Sequence, residues 1–149
     1  MSEREKTRLV HASRAKMTGD VGTVNPAVVR ASTVLYRDIG TRKAVQARRA
    51  KGERTFSYGA SGTPTTFALE DAINEIEGGA RTVLLPTGLA AVAHTFLSTL
   101  KPGDHLLLAD TIYGPARAIA VGYLAKRGIA CEFYPGGHEE VEKRLKPAT

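Results

Sequence analysis

Arg81-Thr82-Val83-Leu84-Leu85-Pro86-Thr87-Gly88-Leu89-Ala90-Ala91-Val92 is the stretch that decides how this chain is read. Residues 81–85 form a short apolar run rich in β-formers, Pro86 interrupts it, and Gly88 opens an apolar helical pattern. That order predicts a strand delivering the chain to Thr87-Gly88 at a helix N-terminus, where unpaired backbone N–H groups and the positive end of the helix dipole face outward. A phosphate suits such a place. So does a plainer role, with Thr87 as an N-cap and Gly88 as a tight-turn residue.

Upstream of this stretch, Thr63 is placed to cap a helix with Pro64 at its first position. Leu69, Ala72, Ile73 and Ile76 fall on one face of that helix, and Gly78-Gly79 ends it. Downstream, the helix opened by Gly88 carries Leu89, Val92, Ala93, Phe96, Leu97 and Leu100 in register, and its other face is also small or apolar, which predicts a buried helix. Lys101-Pro102-Gly103-Asp104 reads as a turn, and His105 to Asp110 as a strand buried on both faces. Tyr113-Gly114-Pro115 leads into a helix with Ala116, Ile119, Ala120, Tyr123 and Leu124, closed by Arg127 and Gly128. Residues 129–134 alternate as a strand does, and 138–145 make a last short helix with Val141 and Leu145 inward. Strands and helices alternating at these spacings imply right-handed βαβ units, hence an α/β fold with a mostly parallel sheet. About three strands are few for a sheet covered on both faces, and the pattern stops after a helix at Pro147-Ala148-Thr149, so an incomplete domain is expected.

The first 62 residues read differently. Residues 3–15 can form a short helix with Leu9, Val10 and Ala12 on its apolar side, and residues 17–22 form a loop. Residues 27–35 hold β-formers without alternation, and Asp38 to Lys51 is a polar, basic, helical piece with no apolar stripe. The division this predicts is an extended N-terminal arm over residues 1–62, packed on a partner subunit, and the first part of an α/β domain over residues 63–149.

With 42% hydrophobic and 24% charged residues in a chain of 149, the composition is that of a soluble globular protein. The net charge of +6 comes largely from a basic stretch holding Arg42, Lys43, Arg48, Arg49, Lys51 and Arg54. Four Phe, five Tyr and no Trp leave little surface on which bases could stack, so no nucleic-acid partner is expected. The lone Cys131 fits a reducing compartment, and a charged N-terminus with no long apolar run predicts a cytoplasmic protein with no membrane partner. His11, His94, His105 and His138 are scattered over different elements, so no metal site is expected. Neither a Walker-type loop nor a G-x-S-x-G elbow occurs.

Three pieces remain: Tyr58-Gly59-Ala60-Ser61-Gly62-Thr63-Pro64-Thr65, then Glu77-Gly78-Gly79 with Pro86-Thr87-Gly88-Leu89-Ala90-Ala91, then Gly103-Asp104-His105 with Asp110 and Tyr113-Gly114-Pro115. In this order and spacing the chain resembles the Cys/Met-metabolism family of pyridoxal-phosphate enzymes. Asn25-Pro26 and Arg30 to Leu35 are similar to that family's N-terminal arm. The resemblance implies part of a fold-type-I, aspartate-aminotransferase-like large domain, a homo-oligomer, and pyridoxal 5′-phosphate as cofactor. It implies that the N–H groups of Gly88 and Leu89 hold the cofactor phosphate, that the ring of Tyr113 stacks on the pyridine, and that Tyr58 reaches the phosphate of a neighbouring subunit. Position alone reads Tyr113 as a loop tyrosine packed on the helix after it.

Thr63 stands where the γ-synthase and γ-lyase branches carry Asn, which favours the β-lyase branch. That branch implies a carbon–sulfur lyase of methionine biosynthesis and transsulfuration, with cystathionine as its small amino-acid substrate and homocysteine, pyruvate and ammonia as products. Two departures qualify this expectation. Ala60 replaces the family's usual Arg, which predicts weakened cofactor binding. None of Lys6, Lys16, Lys43, Lys51, Lys101, Lys126, Lys143 and Lys146 matches the family's Schiff-base lysine motif, so all are expected to be solvated, no catalytic residue is assigned, and the chain alone is expected to be inactive. The alternatives are a non-catalytic interaction fragment that associates with a full-length relative, a γ-branch fragment, and an unrelated α/β nucleotide binder.

Overall fold

The computed structural model describes residues 3–12 and 20–149, in two compact units that divide between Leu84 and Leu85.

In the first unit, helix α1 spans Glu3–His11, α2 spans Ile39–Ala50, a single 3₁₀ turn covers Gly59–Ser61, and α3 spans Pro64–Glu77. Of the helix expected over residues 3–15, positions 13–15 lie outside the described residues, as do Lys16, residues 17–19 of the expected loop and the Leu9 side chain. The start of α3 follows its sequence signals. Thr63 Oγ1 accepts from the Thr66 amide at 3.4 Å, Thr66 Oγ1 accepts from the Thr63 amide at 2.8 Å, and Pro64 occupies the first turn. Its apolar face, however, is not buried as expected, because Leu69 and Ile76 are half exposed and no residue of α3 is fully buried. Polar bonds tie this unit together instead. Arg8 Nη2 donates to the Glu75 carbonyl at 2.9 Å, Arg54 grips Asp71 with two bonds of 2.7 Å and Glu70 at 3.1 Å, and Thr65 Oγ1 bridges the Val29 amide and the Ala27 carbonyl.

The second unit is α4 over Gly88–Thr99, strand β1 over His105–Ala109, a helix α5 over Gly114–Ile119 that widens through Ala120–Leu124 and tightens over Ala125–Arg127, strand β2 over Ala130–Tyr134, and α6 over His138–Arg144. The strands are parallel, with His105 opposite Ala130 and Ala109 opposite Tyr134. The crossover between them is the βαβ unit that the spacing predicted. Gly128, at φ 79°, supplies the left-handed residue that stops the crossover helix before β2. Phe96, Leu108, Ala120, Leu124 and Ile129 form the core cluster, with Val92, Leu100, Ile112 and Phe133 around it.

Four expectations are corrected here. Residues 81–85 form no strand, so the sheet has two strands among the described residues rather than three, because a strand exists only where a neighbour completes its ladder. Asp110 lies just past β1, not within it. Helix α4 buries one face only: Phe96 is buried while Leu97 is 54% exposed, since the core reaches it from one side. Leu145, expected inward, falls just after α6 and is 56% exposed.

A charged network joins the start of the sheet to the end of the chain. Glu132 accepts from Lys146 at 2.6 Å and from Arg144 at 3.0 Å, and buried His105 touches both Glu132, at 3.2 Å, and Thr149 Oγ1, at 2.8 Å. Lys146 is thus exposed but paired, a correction to the expectation that every lysine is simply solvated. The hydrogen bonds from Lys146 and Arg144 hold the Glu132 carboxyl down from its ordinary 4.5 to about 2. Because the folded value lies below the unfolded one, the stability this carboxylate lends is complete above pH 4.5 and is lost as pH falls through about 2. Glu140, lowered by Lys143 and then Arg144, acts in the same direction. Glu132→Gln is therefore expected to make acid unfolding shallower below pH 4.5, as read by circular dichroism against the unsubstituted chain, and an unchanged curve would show the network to be inert.

Candidate functional site

Thr87 caps α4: its Oγ1 accepts from the Ala90 amide at 3.0 Å, and its carbonyl accepts from the Ala91 amide at 3.0 Å. A helix leaves its first amides without intrahelical acceptors, and the cap provides for one of them. Gly88 and Leu89 follow Thr87 directly, and their N–H groups have no acceptor among the described residues. A methyl group built on Gly88 would meet nothing within 4 Å, so the side-chain position at the helix start is open. The geometry that sequence reading attached to this turn, an N-cap beneath two free donors, is present.

The position of this turn in its unit follows from chain lengths. The twelve residues of α4 span about 18 Å and the five of β1 about 17 Å, joined by the short connection Leu100–Asp104. A short connection between elements of similar length suits a chain that doubles back, and α4 contacts α5, the helix that follows the end of β1. There the chain continues through Asp110, Thr111 and Ile112 to Tyr113, the residue that caps α5. The same end of a parallel sheet is where ligands of open α/β folds bind. Val92 and Ile112, flanking the two segments, both pack on the core cluster.

The Tyr113 carbonyl accepts from the Ala116 and Arg117 amides, at 2.9 and 3.1 Å, which fixes its backbone. Its side chain is 63% exposed rather than packed on the following helix, which leaves a ring face for a planar ligand. Sequence reading missed the clamp beside it. Arg117 donates to Asp110 at 3.1 Å and lies 3.8 Å from the centre of the Phe133 ring, holding the start of α5 to both strands. Asp110 lies before α5 and Arg117 within it, so their spacing reports no shared helix face and nothing in the sequence marked the pair.

Tyr58 lies in the first unit, just before the 3₁₀ turn, and is 46% exposed. It lines a groove of about 560 Å³ together with Tyr36, Arg42, Arg49 and Ser57. Of the described lysines of the second unit, Lys101 lies in the turn that enters β1, Lys126 in the tightened last turn of the crossover helix, Lys143 pairs with Glu140 at 3.1 Å in α6, and Lys146 is bound to Glu132 and His105. Among the described residues no group of three or more His, Cys, Asp or Glu could hold a metal ion, and no helix is long and apolar enough to cross a membrane.

Residues 6–149 match the family profile described as Cys/Met metabolism PLP-dependent enzyme. The cystathionine β-lyase MetC of Escherichia coli K12 is 38% identical over 144 residues, which cover 96% of this chain and 36% of that protein. The cystathionine β-lyase of Haemophilus influenzae is 40% identical over the same coverage. Among solved structures, metB from Corynebacterium glutamicum superposes with a TM-score of 0.77 at 24% identity, over 97% of this chain and 35% of that one. That likeness shows the fold, the α/β segment of a fold-type-I enzyme. The chain spans about a third of the length of the curated relatives it matches.

Proposed function

This chain belongs to the Cys/Met metabolism PLP-dependent enzyme family, and on that premise we propose that it carries the phosphate-binding and ring-stacking half of a carbon–sulfur lyase site acting on cystathionine. The observation that carries the proposal is the pair of unpaired amides at Gly88 and Leu89, in the same unit as the exposed ring of Tyr113, with Val92 and Ile112 beside the two segments packed on one core cluster. The residues fit the cofactor. Two N–H donors at a helix N-terminus suit a phosphate, with about 1.5–3 kcal/mol for each charge-assisted bond, and Tyr113 offers a flat face to the ring. Tyr58 is assigned to the phosphate of a second copy, and Ala60 weakens that contact because it offers no guanidinium.

Pyridoxal phosphate, if bound, would supply an electron sink for negative charge at the substrate Cα, the condition for the Cβ–sulfur bond of cystathionine to break with loss of homocysteine, the remaining three-carbon unit giving pyruvate and ammonia with one water. This chain's part is to bind and orient. The first-turn amides fix the phosphate, Tyr113 sets the plane of the ring, and the Asp110–Arg117–Phe133 clamp keeps Tyr113 in place. We assign none of the described lysines a part in the reaction.

The chain is therefore expected to bind pyridoxal phosphate saturably, in competition with inorganic phosphate, yet to release no thiol from cystathionine. Absorbance titration and a thiol-specific colorimetric assay read the two halves of this expectation. Robust thiol release would overturn the division of labour. A chain stabilised by a nucleotide and not by pyridoxal phosphate would overturn the reading itself. The exposed side chains of Leu97 and Leu89 also favour a second reading, association with a full-length relative, which a clean monomer with cooperative unfolding in sizing chromatography and melting would contradict.

A further inference from the structure

His105, the first residue of β1, is a buried ring whose two nitrogens face different partners. Its Nδ1 lies 2.8 Å from Thr149 Oγ1. Its Nε2 lies 3.2 Å from Glu132 Oε2 and 3.2 Å from Lys146 Nζ, which is itself 2.6 Å from the same carboxylate oxygen. Those three distances make a nearly equilateral triangle, so Nε2 faces a carboxylate and an ammonium together. An ammonium can only donate, so its contact with Nε2 needs a lone pair there. The proton of the neutral ring then belongs on Nδ1, where Thr149 Oγ1 accepts it alongside the Lys146 amide, 2.8 Å away. Charged imidazole carries hydrogens on both nitrogens. Its Nε2–H would donate to Glu132 and turn a hydrogen toward Lys146 Nζ, so charging the ring and keeping the Lys146 contact exclude one another.

The surrounding charges decide which group gives way. Glu132 comes from β2, Arg144 from α6 binds Glu132 at 3.0 Å and Glu140 at 3.1 Å, and Lys143 holds Glu140 at 3.1 Å. Asp104, next to His105 in the chain, is engaged with the Lys101 amide at 2.8 Å. A proton on His105 therefore adds a third cation beside the Glu132 carboxylate. The Lys146 side chain is 51% exposed and that of His105 only 3%, so the ammonium can pass into water and the ring cannot. We propose that His105 and Lys146 form a proton-operated clasp between the end of α6 and the strands. With the ring neutral, Lys146 closes on Nε2 and Glu132; proton uptake at Nε2 puts His105 on Glu132 and sends Lys146 into water. The end of α6 then keeps one ionic link to β2, from Arg144, where it had two.

The test takes the full chain from about pH 8 to about pH 5, the span in which a histidine ordinarily changes charge. Long-range proton–nitrogen NMR spectra of the imidazole read which ring nitrogen holds hydrogen, and amide exchange, expressed as protection relative to the unfolded chain at each pH, reads α6. At the upper end, hydrogen is expected on Nδ1 and none on Nε2. As Nε2 gains its proton, protection in α6 should fall about threefold at the same midpoint, the size of one exposed ion pair, while β1 and β2 keep theirs. Lys146→Met removes the ammonium and keeps the stem; it should show the lower α6 protection throughout, and hydrogen on Nε2 already at the upper end, because Glu132 then lacks that donor. His105→Gln, with no titrating ring, should hold α6 protection level across the range. Lys146 is half exposed, so Lys146→Met carries the test alone should the buried replacement not fold. Hydrogen on Nε2 of the unsubstituted chain at the upper end, with Thr149 donating to Nδ1, would overturn the clasp. So would an Nε2 that never gains a proton across the range, α6 protection that stays level while it does, or the same acid-dependent fall in either variant as in the unsubstituted chain.

Discussion

Leu124→Ala is expected to destabilise the second unit by about 2–5 kcal/mol, enough to unfold much of it at room temperature. Leu124 is 1% exposed and is the largest side chain fully out of solvent among the described residues. It sits in the widened turn of the crossover helix and fills the space between Phe96, Leu108, Ala120 and Ile129, so its removal opens a void where the core joins α4, β1 and β2. Two features raise the cost above an ordinary truncation. The core cluster is small, so a single side chain is a large share of it, and two of its other members are rigid strand or strand-entry residues with little freedom to collapse inward. Urea unfolding followed by circular dichroism measures the loss. Leu145→Ala, at a leucine 56% exposed, is the control, with an expected change within about 0.5 kcal/mol. A loss below about 1 kcal/mol for Leu124→Ala would mean that the cavity closes and the core is plastic. Because β1 delivers Tyr113, melting this core should also abolish cofactor binding.

What the sequence disclosed and what it hid separate along one physical line. Signals that act within a few residues were legible: Thr63 with Thr66 and Pro64, Thr87 before Gly88, Gly128 ending the crossover, and the β1 and β2 runs were all readable, since a cap or turn is made by its own neighbours. The 81–85 run had the composition of a strand but no partner with which to form one, and composition does not report on partners. Leu69, Ile76, Leu97 and Leu145 have helical periodicity, yet exposure depends on whether a surface lies opposite them, and none does among the described residues of their own units. The site divides in the same way. The helix start at Gly88 and Leu89 was legible from the Thr87 cap, whereas the part proposed for Tyr113 came from the family resemblance and not from its position. The Glu132 network, the Asp110–Arg117–Phe133 clamp and the Arg49–Ser61 bond join residues brought together only by the fold. The family resemblance carried the fold class and the cofactor, and the profile match and the superposition agree with it.

Gly88→Pro separates binding from folding at the turn itself. The substitution is expected to lower affinity for pyridoxal phosphate by about 10- to 100-fold, the equivalent of one charge-assisted hydrogen bond, while leaving the melting temperature unchanged or slightly higher. The backbone already suits proline. Gly88 is the first helical residue, where the amide has no intrahelical acceptor, and Thr87 before it is extended at φ −148° and ψ 156°, the conformation proline demands of its predecessor. Nothing lies within 4 Å of a Cβ added there, and the Thr87 cap bonds to the Ala90 amide, two residues beyond the substitution, so the helix start survives. Restricting a glycine at a compatible position lowers the entropy of the unfolded chain, which accounts for the direction of the stability change. What is removed is a single donor aimed at open space. If pyridoxal phosphate binds through the Gly88 amide, the loss appears for the phosphorylated cofactor and for inorganic phosphate, and it is absent for pyridoxal. Equal affinity for all three ligands before and after the substitution would place the phosphate elsewhere and return Thr87-Gly88 to the plainer role of cap and turn.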